Sequence, residues 1–213
     1  MRLTILGGTG KIGRLVVEQA LAAGHEVTVL ARYPRRLAMV AQRSGMRVVE
    51  GDVSDPDALA EAVDGASAVI SALGPTGNAP DQVAILREGM RNLIAAMDRH
   101  GVRRLVNLSG AAVEVPGDRK PLFDRVASKI VRILARYVVE AKQAEFEQLA
   151  SSSLDWVAVR PPLVNDGPRT GRYRAGIDIL RPGARISRAD IADFMLAEAI
   201  EPTYIRQAPF IVY

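Results

Sequence analysis

LTILGGTGKIGRLV, residues 3–16, begins with alternating aliphatic side chains, passes through a glycine-rich turn and takes up helical spacing at Ile12, Leu15 and Val16. It reads as strand, tight turn and helix, with the helix expected over 12–23. Gly7, Gly10 and Gly13 are spaced G-x-x-G-x-x-G, not the more familiar G-x-G-x-x-G. In such a unit, glycines let the backbone approach a diphosphate, and the first-turn amides of the helix point at its oxygens. The turn is therefore a candidate dinucleotide cradle at the chain's first strand.

The same alternation continues outward. HEVTVLAR (25–32) and MRVVEGDV (46–53) read as the second and third strands, ASAVISALG (66–74) as the fourth, VRRLVNLSG (102–110) as the fifth and LDWVAVRPP (154–162) as the sixth. Helical spacing covers 55–65, with Ser54 as the expected cap, and 81–100. Nearly continuous apolar strands separated by helices suit a parallel sheet buried on both faces. The expected fold is an α/β, doubly wound, mostly parallel Rossmann sheet in one domain, 1–213. The weakly patterned stretch 163–188 is expected to form a small C-terminal lobe on the substrate side.

A long helix is expected over 121–149. Phe123, Val126, Ala127, Ile130, Leu134, Tyr137 and Ala141 form an apolar stripe directed at the core, and Arg125, Lys129, Arg132 and Arg136 a solvated basic back. Ser187 with Asp190 reads as the cap of the last helix.

Composition narrows the chemistry. The chain has 213 residues, 48% hydrophobic, and no cysteine, which excludes disulfides, thiolate metal sites and a cysteine nucleophile. His25 and His100 fall in polar turns before strands, so no metal site is expected. A net charge of +4 favours anionic ligands without implying nucleic acid. No apolar run is long enough for a membrane span and no charged leader precedes the first strand, so a cytoplasmic protein is expected.

Cofactor preference is read at the end of the second strand, where a carboxylate commonly holds the ribose hydroxyls of NAD. Arg32 stands there, followed by Arg35 and Arg36. A guanidinium binds a 2′-phosphate through paired hydrogen bonds, so NADP(H) is favoured over NAD(H). Asp52 and Val53 are placed beside the adenine, and SALG (71–74) over the middle of the cofactor.

GGTGKIG, VLAR, GDV, SALG, LVNLSG and VAVRPP resemble the atypical short-chain dehydrogenases/reductases with NAD(P)-binding domains. PPLVNDGPRTGRY followed by ISRADIADFML is most similar to the biliverdin reductase B, or NADPH-dependent flavin reductase, branch; NmrA-like redox sensors are more distant. The resemblance implies NADPH-dependent reduction of a flavin, quinone, tetrapyrrole or similar planar conjugated acceptor. It implies that Gly7, Thr9, Gly10, Lys11, Ile12, Gly13, Arg32, Arg36, Asp52, Val53, Leu73 and Gly74 line the cofactor. Ser109 would lie near the nicotinamide, and Pro161 and Pro162 at the reactive end. A non-catalytic NADP(H)-binding sensor is the alternative, and the chain is either a monomer or a homodimer.

Carbonyl-reducing members of the superfamily use Tyr-x-x-x-Lys on a helix. Lys142 occupies the lysine position, but Val138 stands four residues before it and Tyr137 five. Four helical residues separate side chains by about 40° and five by about 140°, so Tyr137 and Lys142 do not share a site on a regular helix. Ser109 and Lys142 are the candidate catalytic residues, with Tyr137 ranked behind them. Ser109-Gly110 replaces the Thr-Ser of the flavin reductase, so a serine usually linked to catalysis is glycine here. Flavin reduction tolerates that loss, because close stacking is the main requirement and solvent supplies the proton. Arg169, Arg172, Arg174, Arg181, Arg185 and Arg188 give the 166–188 loop either anion-binding capacity near the cleft or a merely hydrophilic surface.

Overall fold

The computed structural model describes residues 1–37, 45–118 and 133–213. Strand β1 (Arg2–Leu6) sets the layers through its two-residue alternation: Leu3 and Ile5 point into one core, while Leu6 points into the other. Thr4 lies buried, and its hydroxyl donates to the Ala62 carbonyl at 2.6 Å, which removes the cost of an unpaired polar group. Around β1 run β2 (Glu26–Ala31), β3 (Met46–Glu50), β4 (Ala68–Ser71), β5 (Arg104–Leu108) and β6 (Asp155–Val159).

The order is β3-β2-β1-β4-β5-β6 and every pairing is parallel. Leu3 sits between Val27 and Ala68. Chain direction across the sheet reverses at β1 and β4, so the connections leaving their carboxyl ends diverge and open a crevice there. This is the doubly wound Rossmann sheet expected from the alternation.

Helices α1 (Lys11–Ala22) and α5 (Arg188–Ile200) cover one face, with Val16, Val17, Ile191 and Met195 in its core. Helices α2 (Pro56–Val63), α3 (Asp81–Arg99) and α4 (Arg136–Ser151) cover the other, with Leu59, Leu93, Met97 and Leu149 buried. Phe146 meets Trp156 edge-on at 5.7 Å, locking α4 to β6. Among the described residues no helix is long and apolar enough to cross a membrane.

Three local expectations are corrected. Asp55, not Ser54, caps α2: its carboxylate accepts from the Asp57 and Ala58 amides, while Ser54 donates to Asp52. Pro56 at the first helical position makes the residue before it the cap. The helix expected over 121–149 is interrupted at Ala135 (φ −127°, ψ 45°), and α4 begins afresh at Arg136. A residue remote in sequence makes that break: the Asn78 side chain accepts from the Tyr137 and Val138 amides and donates to the Leu134 carbonyl. Finally, Leu134 is 73% exposed although the stripe places it in the core, whereas Ala141 is fully buried. Phe123, Arg125, Val126, Ala127, Lys129, Ile130 and Arg132 lie outside the described residues.

The 163–188 stretch forms short strands. β7 (Leu163–Asn165) pairs in parallel with β9 (Arg185–Ser187), and β8 (Arg174–Gly176) pairs antiparallel with β10 (Phe210–Val212). Ser187 caps α5, accepting from the Asp190 amide at 3.0 Å. Asp190 does more than its sequence position suggests. Buried, it accepts from the Thr170 amide and hydroxyl, the Gly171 amide and the Tyr213 hydroxyl, tying the 169–171 turn and the C-terminus to α5.

Candidate active site

The glycine turn after β1 is shaped by contacts that leave no space for side chains. Gly7 has φ +75°, and a Cβ there would lie 2.7 Å from the Ala72 carbonyl oxygen. A Cβ on Gly13 would lie 2.1 Å from the Gly7 oxygen, so the third glycine lets α1 pack against the turn. Gly8, absent from the expected set, is equally constrained: a Cβ would meet Val29 at 2.7 Å. Gly10 caps α1 without a side-chain bond, and the first turn contains no acid. The amide end of α1 is thus left to an anionic ligand.

A cleft of about 280 Å³ opens at this turn. Of the expected cofactor residues, Gly7, Thr9, Gly10, Arg32, Asp52, Val53, Leu73 and Gly74 line it. Lys11, Ile12 and Gly13 do not: they begin α1, with Ile12 packed against the core and Gly13 buried. Arg36 belongs to the turn Pro34–Leu37. Arg32 Nε stands 3.3 Å from Asp52, so the guanidinium expected to select the cofactor is oriented by the carboxylate expected beside the adenine. Asp52 is itself fixed by the Ser54 amide and hydroxyl at 3.0 and 2.9 Å. Sequence reading missed Tyr33 and Gln82 in the lining. Gln82 accepts from the Thr76 amide and hydroxyl, a link no local pattern announces.

A second cavity of about 510 Å³ adjoins the first at the end of β4, where Gly74 lines one and Pro75 the other. Ser109, Lys142, Pro161 and Pro162 line it, together with Val113 and Val138. Its wall is largely apolar. The Ser109 hydroxyl is buried and has no hydrogen-bond partner among the described residues, although its amide donates to the Val159 carbonyl. A buried hydroxyl without a partner, on a residue that lines a cavity, leaves a hydrogen bond that a ligand would complete.

Lys142 is placed differently from a proton donor. Its ammonium donates to the Leu73 carbonyl at 2.6 Å, the Leu108 carbonyl at 2.7 Å and Glu145 at 2.7 Å. Those bonds account for all the donors an ammonium has. Lys142 thereby clamps the ends of β4 and β5 together where the two cavities meet. Glu145, which the sequence reading did not single out, is its buried counter-ion; burial pushes the carboxyl up, against the opposing pull of the lysine. The signal for it was present as a Lys-x-x-Glu spacing on one helical face.

Val138, four residues before Lys142, lines the second cavity, whereas Tyr137 is absent from its lining. Tyr137 is half-buried at the start of α4, with the Arg136 guanidinium 5.5 Å from its ring centre. Behind the cavities, the fully buried Arg160 grips Asp118 through both terminal nitrogens, at 2.6 and 2.8 Å, donates to the Ala208 carbonyl and stacks on Phe210. It joins the segment after β5 to the segment leading into β10.

A glycine cradle at a helix amide end, on the crossover point of a parallel sheet, defines a Rossmann nucleotide-binding protein. Residues 7–202 match the NAD(P)H-binding family, and the chain belongs to that family. Photosystem II assembly factor Ycf39 of Synechocystis is 37% identical over 128 residues, spanning 58% of this chain and 38% of that protein's length. ChuY, an anaerobilin reductase of Escherichia coli O157:H7, superposes with a TM-score of 0.82 at 22% identity, covering 100% of this chain and 97% of its own. A short-chain dehydrogenase/reductase of Veillonella parvula in complex with NADP superposes at 0.78, with 20% identity and coverage of 100% and 94%.

Proposed function

We propose that the protein is an NADPH-dependent reductase that passes hydride to a planar, conjugated acceptor such as a flavin or quinone. The observation that carries this reading is the junction of the two cavities: a polar, glycine-floored cleft meets a largely apolar one across Gly74 and Pro75. A dinucleotide lying along the first would present its reactive end toward the second.

The residues suit that cofactor because its diphosphate needs backbone amides and a floor without Cβ atoms, which Gly7 and Gly10 provide in the cleft, while Gly8 and Gly13 let the turn pack against Val29 and α1. Arg32 and Asp52 would hold the adenosine end, with Arg32 favouring a 2′-phosphate. Bound NADPH supplies the hydride. Lys142 and Glu145 hold the strand ends that position both ligands, and Ser109 donates a hydrogen bond to a polar atom of the acceptor. The apolar wall excludes water from the acceptor's face, and solvent at the mouth supplies the proton.

Val138 at the position of the superfamily tyrosine favours a second reading, an NADP(H)-binding sensor without turnover. Anaerobic NADPH oxidation with FMN, riboflavin and quinones separates the two. Acceptor-dependent loss of nicotinamide absorbance, faster with NADPH than with NADH, is the expected result. Tight NADPH binding with no turnover on any acceptor would overturn the reductase and leave the sensor.

A further inference from the structure

We infer that the acceptor carries an acidic group, recognised by Arg181 at the mouth of the apolar cavity; this rests on the reductase reading and narrows its substrate class. The structure sorts the arginines of the 166–188 loop by occupation. Arg169 is engaged by Asp193 at 2.8 Å, and Arg188 pairs with Asp166. Arg172, Arg174 and Arg185 are exposed and do not line the cavity. Arg181 does line it. Its guanidinium makes no ion pair and no side-chain hydrogen bond to any described residue.

The backbone that presents Arg181 is well anchored. Leu180, just before it, is buried, and the Ala184 amide donates to the Arg181 carbonyl at 3.0 Å to close a turn. Gly183 takes the positive φ of +73° within that turn. The Leu163 amide then donates to the Ala184 carbonyl, joining the turn to β7 across the cavity lining.

Lys142, the other cation of the lining, has every donor committed. Among the described residues, Arg181 is therefore the cation left for a ligand in this cavity. A planar apolar body would fill the wall of Val113, Val138, Pro161 and Pro162, with its acid at the exposed edge against the guanidinium. A paired hydrogen bond to a phosphate or carboxylate provides such recognition, and a neutral ring of the same shape forgoes it.

The test uses two matched flavin pairs, FMN against riboflavin for phosphate and carboxymethylflavin against lumiflavin for carboxylate, with NADPH as donor. In the wild type the acidic member is expected to have the higher kcat/KM by about tenfold, through KM. Arg181→Ala is expected to bring that ratio close to one, and Arg181→Lys to retain part of it. Arg91→Ala, which removes a surface charge from α3, controls for net charge and should leave the ratio as in the wild type. A ratio near one in the wild type, or a ratio that survives Arg181→Ala, would overturn the inference while leaving the reductase standing. If no acceptor turns over, the same pairs are titrated calorimetrically into protein saturated with NADP+. Tighter binding of the acidic members, lost in Arg181→Ala, would overturn the reductase and with it the acidic acceptor, keeping only Arg181 as the anion-binding group of the cavity; equal binding or none would overturn that role as well. The pair that shows the larger effect distinguishes phosphate from carboxylate.

Discussion

Arg32 and Glu145 act at single positions through opposite uses of charge. Arg32 is half-exposed, and its contact with Asp52 at 3.3 Å orients the guanidinium without neutralising it in a dry environment. Arg32→Ala is expected to weaken NADPH binding by about tenfold or more, the worth of a charge-assisted bond, and NADH binding much less. Fluorescence titration with both nucleotides measures the difference, and equal losses would remove Arg32 as the selecting residue. Glu145, by contrast, is buried against Lys142 at 2.7 Å. Glu145→Gln leaves an uncompensated ammonium in the core and is expected to lower unfolding stability by about 3–5 kcal/mol. A Lys142→Met/Glu145→Leu double variant is expected to recover most of that loss in urea unfolding, because apolar residues of similar volume need no counter-charge. Failure to recover would mean that the carbonyl clamp, not the charge balance, dominates the site's stability.

The element with the most consequence beyond its own length is α5. Its N-terminal turn holds the 169–171 segment and the C-terminal tyrosine through Asp190. Burial alone pushes that carboxyl up, but the Gly171 amide, the Tyr213 hydroxyl and the Thr170 bonds together bring it below the ordinary aspartate value of 3.8. The folded state therefore holds the proton less tightly than the unfolded one. The stabilisation is complete above the ordinary value and is lost as pH falls through the lowered one. Asp190→Asn is expected to lower Tm at neutral pH by the equivalent of about 2 kcal/mol, with the gap from wild type shrinking as pH falls below the ordinary aspartate value. Thermal unfolding of both proteins across that range tests it; a gap independent of pH would place the effect in packing. The other element of note is α4, whose start is set by Asn78 from the loop after β4. Helical periodicity in 121–149 carries no trace of that cap, since the capping side chain lies more than fifty residues upstream, with a separation of 59 to Tyr137.

For the molecule as a whole, the alternation of short β-branched runs with amphipathic segments determined the layers, and the glycine turn after β1 marked where the cleft opens. Both are local properties: strand and helix periods are written in neighbouring residues, and a floor without Cβ atoms needs only glycines at set spacings. Arg32, Asp52 and the ends of β4 and β5 were legible for a related reason, because a parallel sheet brings the carboxyl ends of its strands to one edge. Tertiary structure alone decided which charges were free. Lys142 was visible as a candidate catalytic group, but its saturation by Leu73, Leu108 and Glu145 depends on β4, β5 and α4 meeting. Six arginines in one loop looked alike until folding supplied carboxylates to Arg169 and Arg188 and a cavity to Arg181. A side chain's type is fixed by the chain, but the partner that consumes or spares its charge comes from segments remote in sequence, and packing selects which ones arrive.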